Sequence, residues 1–298
     1  MSDAPPASLT SHACQKINLE DDVTSQDSEH NQQTVLITGG SVGLGFALAK
    51  CFLAAGYNVY VCARSAGNLE RAAAAEPGLR TVVADITDPA DRERLWTTIE
   101  AAGHFVDLLI NNAALTRAHD YASSATTSTD RARQEIEVNF AAPIELCRMF
   151  LQARHRLGRD EFPGTLVNIG TPGALIPLEA QPLYSATKAG LHMFTLTLRR
   201  QLRDTPVRVI EVFPPALPTD LTRELEVAGS AADPSVIAEV ATRIFRDIVD
   251  GTEISLPHPQ SKALYGAMPE MDPDFIDRVN RGVKRRPGWD IDLPNADG

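Results

Sequence analysis

A tyrosine and a lysine lie four positions apart in Tyr184-Ser185-Ala186-Thr187-Lys188. On a helix such a pair shares one face, with Cβ atoms about 5–6 Å apart. A phenol exchanges protons poorly near neutral pH, because its ordinary pKa is about 10. A fixed ammonium beside it favours the phenolate. Lowering the pKa by about three units takes about 4 kcal/mol of differential interaction. The result is a group that can give or take a proton near pH 7. The same spacing also fits a solvated surface pair, so the rest of the chain must decide between the two.

The first such evidence is near residue 34. Thr34-Val35-Leu36-Ile37 is a short apolar run of β-formers. It leads into Thr38-Gly39-Gly40-Ser41-Val42-Gly43-Leu44-Gly45, and a helical pattern follows over Phe46–Ala55. Strand, glycine turn and helix together form the context of a dinucleotide-binding turn. Gly39 allows the sharp turn, and Gly43 and Gly45 allow backbone to approach a pyrophosphate and helix to approach strand. The helix N-terminus would face the phosphates with unpaired N–H groups. The spacing is G-x-x-x-G-x-G rather than G-x-G-x-x-G, and a tight strand-to-helix connection is the simpler alternative.

These groups need a scaffold, and the chain alternates strand and helix. Strands are expected at Asn58–Cys62, Thr81–Ala84, Asp107–Ile110, Thr165–Ile169 and Arg208–Phe213, with an edge strand at Glu253–Leu256. Each is short and largely apolar, as strands buried on both faces are. Helices are expected over Asn68–Ala75, Asp88–Ala102, Asp130–His155, Pro182–Arg203 and Asp233–Val249. The implied fold is α/β, a Rossmann-type doubly wound parallel sheet in a single domain. That domain is placed at 34–256. Residues 1–33 carry Asp3, Glu20, Asp21, Asp22, Asp27 and Glu29 against Lys16 and read as a disordered acidic lead-in. From Pro257 to 298 the chain is Pro-rich and charged and reads as a C-terminal extension with a solvated Lys284-Arg285-Arg286 run.

Taken together, the motifs resemble the short-chain dehydrogenase/reductase family over roughly residues 34–256. The resemblance implies a cofactor loop at Gly39, Ser41, Gly43, Leu44 and Gly45, an acid near the adenine at Asp85, and Asn112 within Asn111-Asn112-Ala113-Ala114. It implies a structural and proton-relay Asn139, a catalytic Tyr184–Lys188 pair, and Thr219 beside the nicotinamide in Pro214-Pro215-Ala216-Leu217-Pro218-Thr219. The family's catalytic serine falls thirteen residues before the tyrosine, where this chain has Thr171. A threonine hydroxyl can donate the same hydrogen bond, though its methyl stiffens χ1. Pro215 replaces a family glycine, which removes an N–H and fixes φ. The Pro-Pro form also resembles a bacterial subgroup related to DltE-type oxidoreductases.

The implied activity is hydride transfer between NADP(H) and a carbonyl or secondary alcohol. Thr171 and Tyr184 would polarise the carbonyl and stabilise the developing alkoxide, Lys188 would lower the tyrosine pKa and hold ribose hydroxyls, and Asn139 would link Lys188 to solvent. The second strand ends Val61-Cys62-Ala63-Arg64, without the acid that suits a free 2′-OH, so Arg64 and Ser41 favour a 2′-phosphate and NADP(H) over NAD(H). Imine reduction, dehydration and epimerisation use the same cofactor and residues. A non-catalytic NADPH-binding sensor and a scaffold role are the readings of another class. The substrate is a small molecule, met by Leu115–Tyr121 and Leu221–Ala232, where Arg117, Arg223 and Glu224 stand.

Composition narrows the setting. The net charge of −11 argues against nucleic acid or an anionic membrane as partner. No apolar run approaches a membrane span, and no secretory pattern opens the chain, which points to the cytoplasm. Cys14, Cys51, Cys62 and Cys147 lack metal-ligand spacing and are expected as buried thiols; no metal is expected. Leu191, Phe194, Leu198 and Leu202 recur at helical spacing, and the family implies a homodimer or homotetramer through the helices around strand five.

Overall fold

Thr34–Thr38 is buried throughout, and its side chains alternate between two apolar layers. That pattern places strand β1 in the middle of a sheet covered on both faces. In the computed structural model, which describes residues 32–117, 121, 129–176, 178, 180–219, 221 and 234–266, six further strands join it. They are β2 (Asn58–Ala63), β3 (Arg80–Val83), β4 (Val106–Asn111), β5 (Gly164–Ile169), β6 (Val207–Val212) and β7 (Ile254–Ser255). All pair in parallel, in the order β3-β2-β1-β4-β5-β6-β7. The helices are α1 (Gly43–Ala54), α2 (Ala66–Ala75), α3 (Pro89–Ala101), α4 (Thr129–Ile136), α5 (Ala142–Arg156), α6 (Pro182–Gln201), α7 (Pro234–Val249) and α8 (Pro259–Gly266). This is the expected doubly wound sheet.

Strand order reverses at β1, which has β2 on one side and β4 on the other. The chain therefore leaves β1 and β4 in opposite directions, and a crevice opens at their C-terminal ends. Val35, Ile37, Val59 and Val61 pack with Leu48 and Phe52 of α1 and Ile244 and Ile248 of α7. Leu36, Leu109 and Leu166 face the other way, onto Trp96, Phe150 and Leu198. Full burial of each such side chain is worth about 1.5–3 kcal/mol before entropy is counted. Two of the residues expected on an oligomer face, Leu191 and Leu198, are buried in the chain's own core, and Phe194 and Leu202 pack against it. Core packing thus accounts for their helical spacing.

A polar seam fixes α6 to the sheet. Asn111 Nδ2 donates to Asn168 Oδ1 at 2.9 Å, and Asn168 Nδ2 donates to Thr195 Oγ1 at 2.8 Å. All three side chains are buried. Partnered amides in a dry interior specify one geometry, because losing either partner leaves a costly orphan.

Two expectations are corrected. The continuous helix Asp130–His155 is broken by a π turn, Glu137–Ala141. The extra residue turns Asn139 inward, where it is fully buried. The C-terminal extension, for which no element is expected, begins with α8. Ser261 is buried there, and the Tyr265 ring packs 5.2 Å from that of Phe213. The stretch is polar apart from a few side chains, so periodicity gave no sign of it. Cys51, Cys62 and Cys147 are buried, and burial pushes the thiols of Cys62 and Cys147 up to about 12. The lead-in up to residue 31, with Cys14, and the Lys284-Arg285-Arg286 run lie outside the described residues. Among the described residues no helix is long and apolar enough to cross a membrane.

Asn168→Leu is expected to lower the free energy of unfolding by about 2 kcal/mol, within the cost of an orphaned buried amide, whereas Thr195→Ser should cost much less. Urea unfolding midpoints check both; equal midpoints for wild type and Asn168→Leu would show that the seam contributes nothing.

Candidate active site

The C-terminal ends of β1, β2, β4, β5 and β6 open into one cavity of about 890 Å³. The glycine turn forms its floor. Gly39 and Gly43 adopt φ of 63° and 57°, the left-handed region that suits glycine. A Cβ on Gly45 would collide with the Asn112 amide and the Gly39 carbonyl, so this glycine is needed for helix to meet strand. Asn112 is committed to the same junction: its Nδ2 donates to Thr38 O at 2.9 Å and Gly39 O at 3.2 Å. The N-terminus of α1 has no side-chain cap and no acid in its first turn. Its free N–H groups and positive dipole end suit an anion, and the turn fits a pyrophosphate.

The opposite wall carries the reactive hydroxyls. Lys188 Nζ donates to the Ile169 carbonyl at 2.8 Å, where β5 ends, and lies 5.9 Å from the Tyr184 ring centroid. Thr171 follows that strand end by two residues. Its Oγ1 accepts from Gly173 N at 3.2 Å, and its hydroxyl is near enough to Tyr184 to act on the phenol. Tyr184 and Lys188 are 8% and 2% exposed. Burial pushes the phenol above its ordinary value; the Glu135 carboxylate adds to the rise, and the Thr171 hydrogen bond opposes it. The expected lowering by Lys188 is therefore not what this environment produces. The ammonium is itself pulled down, to about 8, by burial, with Glu211 opposing. A charge without water is costly, and both groups shift toward their neutral forms.

The model of the short chain dehydrogenase family matches residues 33–228. The chain belongs to that family. An uncharacterized oxidoreductase, DltE, of Bacillus subtilis (strain 168) is 39% identical over 191 residues, 64% of this chain and 74% of that protein. This agrees with the subgroup that Pro214-Pro215 suggests. A short-chain dehydrogenase from Sphingobium yanoikuyae, solved in complex with NADPH, superposes with a TM-score of 0.66 at 24% identity, covering 87% of this chain and 99% of that one. A short chain dehydrogenase/reductase from Burkholderia phymatum, solved in complex with NAD, gives 0.67 at 23% identity, covering 82% and 98%. Both likenesses are of fold.

In this short-chain dehydrogenase, Gly39, Ser41, Gly43, Leu44, Gly45, Arg64, Asp85, Asn112, Thr171, Tyr184, Lys188 and Thr219 all line the one cavity. Arg64 is exposed just beyond β2. Asp85 Oδ1 accepts from Thr87 N and Oγ1 at 2.9 and 2.8 Å, so one carboxylate oxygen shapes its own turn. Asn139 does not line the cavity. Its Oδ1 accepts from Leu115 N at 2.8 Å, and its Nδ2 donates to Leu115 O at 2.6 Å and Thr187 Oγ1 at 3.3 Å. It pins the loop after β4 to α6. Pro215 is buried and lines the wall. Arg117 also lines the cavity, with Nη2 3.4 Å from Gln134 Oε1, whereas Arg223 and Glu224 lie outside the described residues.

Several participants were not read from the sequence. Glu135 stands four residues before Asn139, so helical spacing already put it near that face; its acidic type suggested solvent instead. Gln181, at the start of α6, donates to Thr116 Oγ1 at 2.7 Å and closes the rim. Ser65 and Asn68 continue the wall from Arg64, and Gln260 and Leu264 bring α8 to the rim. Among the described residues no group of three or more His, Cys, Asp or Glu side chains could hold a metal ion.

The Lys188 shift predicts a pH-dependent stability. The unfolded chain keeps this proton up to about 10.5 and the folded one only up to about 8. Between those values the unfolded state binds more protons, so this group's contribution raises stability with pH; below about 8 its slope vanishes. Wild type should therefore gain stability relative to Lys188→Met between pH 8 and 10, by at most about 1.4 kcal/mol per unit. Denaturant unfolding of both proteins across that range checks it; a pH-independent difference would contradict the shift.

Proposed function

We propose that the protein is an NADP(H)-dependent oxidoreductase that interconverts a carbonyl and a secondary alcohol on a small-molecule substrate. The observation that carries this reading is the presence of Thr171, Tyr184 and Lys188 in the same cavity as the glycine turn and the uncapped start of α1. When bound, NADP(H) supplies or accepts the hydride. The turn from Gly39 to Gly45, with Ser41 and Leu44, holds the pyrophosphate. Asp85 and Ile86 flank the adenine, and Thr219 and Lys188 hold the nicotinamide end. Asn112 acts through the turn it fastens.

Arg64 and Ser65 stand where strand β2 ends, and that strand end bears no carboxylate. A guanidinium there pairs with a 2′-phosphate and favours NADP(H). The NADPH in the Sphingobium yanoikuyae structure supports this choice, and the NAD in the Burkholderia phymatum structure is the competing precedent.

The residues divide the chemistry. Thr171 and Tyr184 donate hydrogen bonds to the substrate oxygen, where negative charge builds in the reductive direction. Tyr184 then gives its proton to the alkoxide. A phenol with a raised pKa still does this, because an alkoxide is a much stronger base than a phenolate. Lys188 stabilises the phenolate so formed, which regains its proton from water on the open side of the cavity, with Asn139 holding the Leu115 loop in place. The protein is also proposed to act as a homo-oligomer, through the exposed sides of α5 and α6, with Leu157 just past the end of α5 and Met193 on α6 exposed.

One assay tests the reading: NADPH and NADH consumption against a panel of ketones and aldehydes. Wild type should prefer NADPH, and Arg64→Asp should lose that preference. Tyr184→Phe should lower kcat by at least about 10²-fold with cofactor binding retained. Thr171→Val should cost about 10²–10³-fold, and Thr171→Ser little. Full activity in both Tyr184→Phe and Thr171→Val would overturn the assigned chemistry.

A further inference from the structure

Glu211 is a buried acid that the chemistry above does not use. It is 0% exposed on β6. One carboxylate oxygen, Oε2, meets His192 Nδ1 at 2.8 Å. The other, Oε1, is buried and has no hydrogen-bond partner. A buried carboxylate with a bare oxygen is expensive to keep, and a link between β6 and α6 alone would be served by a neutral side chain.

Its position gives the charge a use. Asn168 of β5 pairs with Glu211, and the strand pairing continues to Gly170, whose N donates to Val212 O at 2.7 Å. A Cβ on Gly170 would lie 3.1 Å from Glu211 Oε1, so the bare α-carbon leaves room for the carboxylate at the strand end. The residue before Gly170 is Ile169, whose carbonyl accepts from Lys188 Nζ. Lys188 and His192 are four apart on α6 and share one face. The ammonium and the carboxylate thus both lie at the ends of β5 and β6, near enough to act on each other through space but without a direct ion pair, and His192 on the next helical turn holds the carboxylate there.

We propose that Glu211, anchored by His192, is the counter-ion that keeps Lys188 charged in the cavity, and so acts as a positioning residue for the oxidoreductase chemistry. Other charges stand around the pair: Arg199 of α6, whose Nη2 donates to the Glu253 carbonyl at 2.9 Å, and Glu135 of α4, which acts on Tyr184. From α6 come Lys188 and His192. From α8 comes the Tyr265 phenol, whose proton Glu211 helps to retain and Arg199 of α6 opposes. Burial draws the Lys188 ammonium down, and Glu211 is the group that opposes it. With that charge removed, more lysine is neutral near pH 8, and a neutral amine neither stabilises a phenolate nor attracts an anionic cofactor.

The inference rests on the proposed function only for what the charge is used for, so its test begins without cofactor. The chain's lysines are Lys16, Lys50, Lys188, Lys262 and Lys284. In protein labelled at lysine Cε, the signal missing from Lys188→Arg identifies Lys188. Its NMR titration midpoint should fall near 8 in wild type and lower by about one unit or more in Glu211→Gln, the size expected for losing a nearby opposite charge. Glu211→Asp, which withdraws the charge by one methylene, should give a smaller fall in the same direction and carries the test if Glu211→Gln does not fold. An unchanged midpoint in the variant that folds overturns the proposal. Fluorescence titration with NADPH is the second readout. Glu211→Gln should bind several-fold more weakly than wild type at pH 8 and nearly equally at pH 6. If wild type binds neither NADPH nor NADH, the proposed function fails, while the lysine titration still decides the role of Glu211.

Discussion

The Lys188 ammonium is buried in the cavity wall, and much of the structure serves to keep it there. Removing a charge from water costs several kcal/mol even after relaxation. The compensation is local: the Ile169 carbonyl accepts one of its protons at 2.8 Å, and Glu211 lies beyond Gly170. These partners sit at the ends of β5 and β6, so the geometry depends on those strands ending together. The strand register pairs Ile169 with Val212 and provides that. The buried Asn111–Asn168–Thr195 seam then fixes α6 against the strands. A polar seam in place of apolar packing gives up some stability and fixes the position of one helix.

Tyr184 depends on the same arrangement. Its phenol is pushed up by burial and by Glu135, and is drawn down by the Thr171 hydrogen bond. A neutral, hydrogen-bonded phenol is ready to donate, which is the state a carbonyl reduction requires. Thr171 is set by its own turn, because its hydroxyl accepts from Gly173 N. The opposite wall is built by exclusion. Asn112 occupies the space a side chain at position 45 would need, and the uncapped start of α1 faces the cavity.

The sheet was legible because its central strands are short apolar runs between helices; the edge strands β3, RTVV and largely exposed, and β7, two residues long, carry a weaker signal. The glycine turn and the Tyr184–Lys188 pair could be picked out by type and spacing, and Thr171 only through the family resemblance; the structure brings them into one cavity. Other features depend on tertiary contacts that leave no periodic trace. The π turn at Glu137–Ala141 shifts the helical register by one residue, and no residue type announces it. Helix α8 is held by the Tyr265–Phe213 ring contact, with Ser261 buried beneath it. Glu135 and Glu211 are acids in the interior, and sequence reasoning assigns acids to solvent. The direction of the Tyr184 shift was missed because spacing places a lysine nearby without revealing how dry the site is.

The central claim is that a charged Lys188 makes this cavity a cofactor site, and the affinity for NADPH as a function of pH tests it most directly. For wild type, fluorescence titration should show affinity falling as pH rises through about 8, the value to which burial draws the ammonium. Lys188→Met should bind weakly at neutral pH, with no such fall. Equal affinity in the two proteins at pH 7, or a wild-type affinity that stays constant through pH 9, would contradict the account.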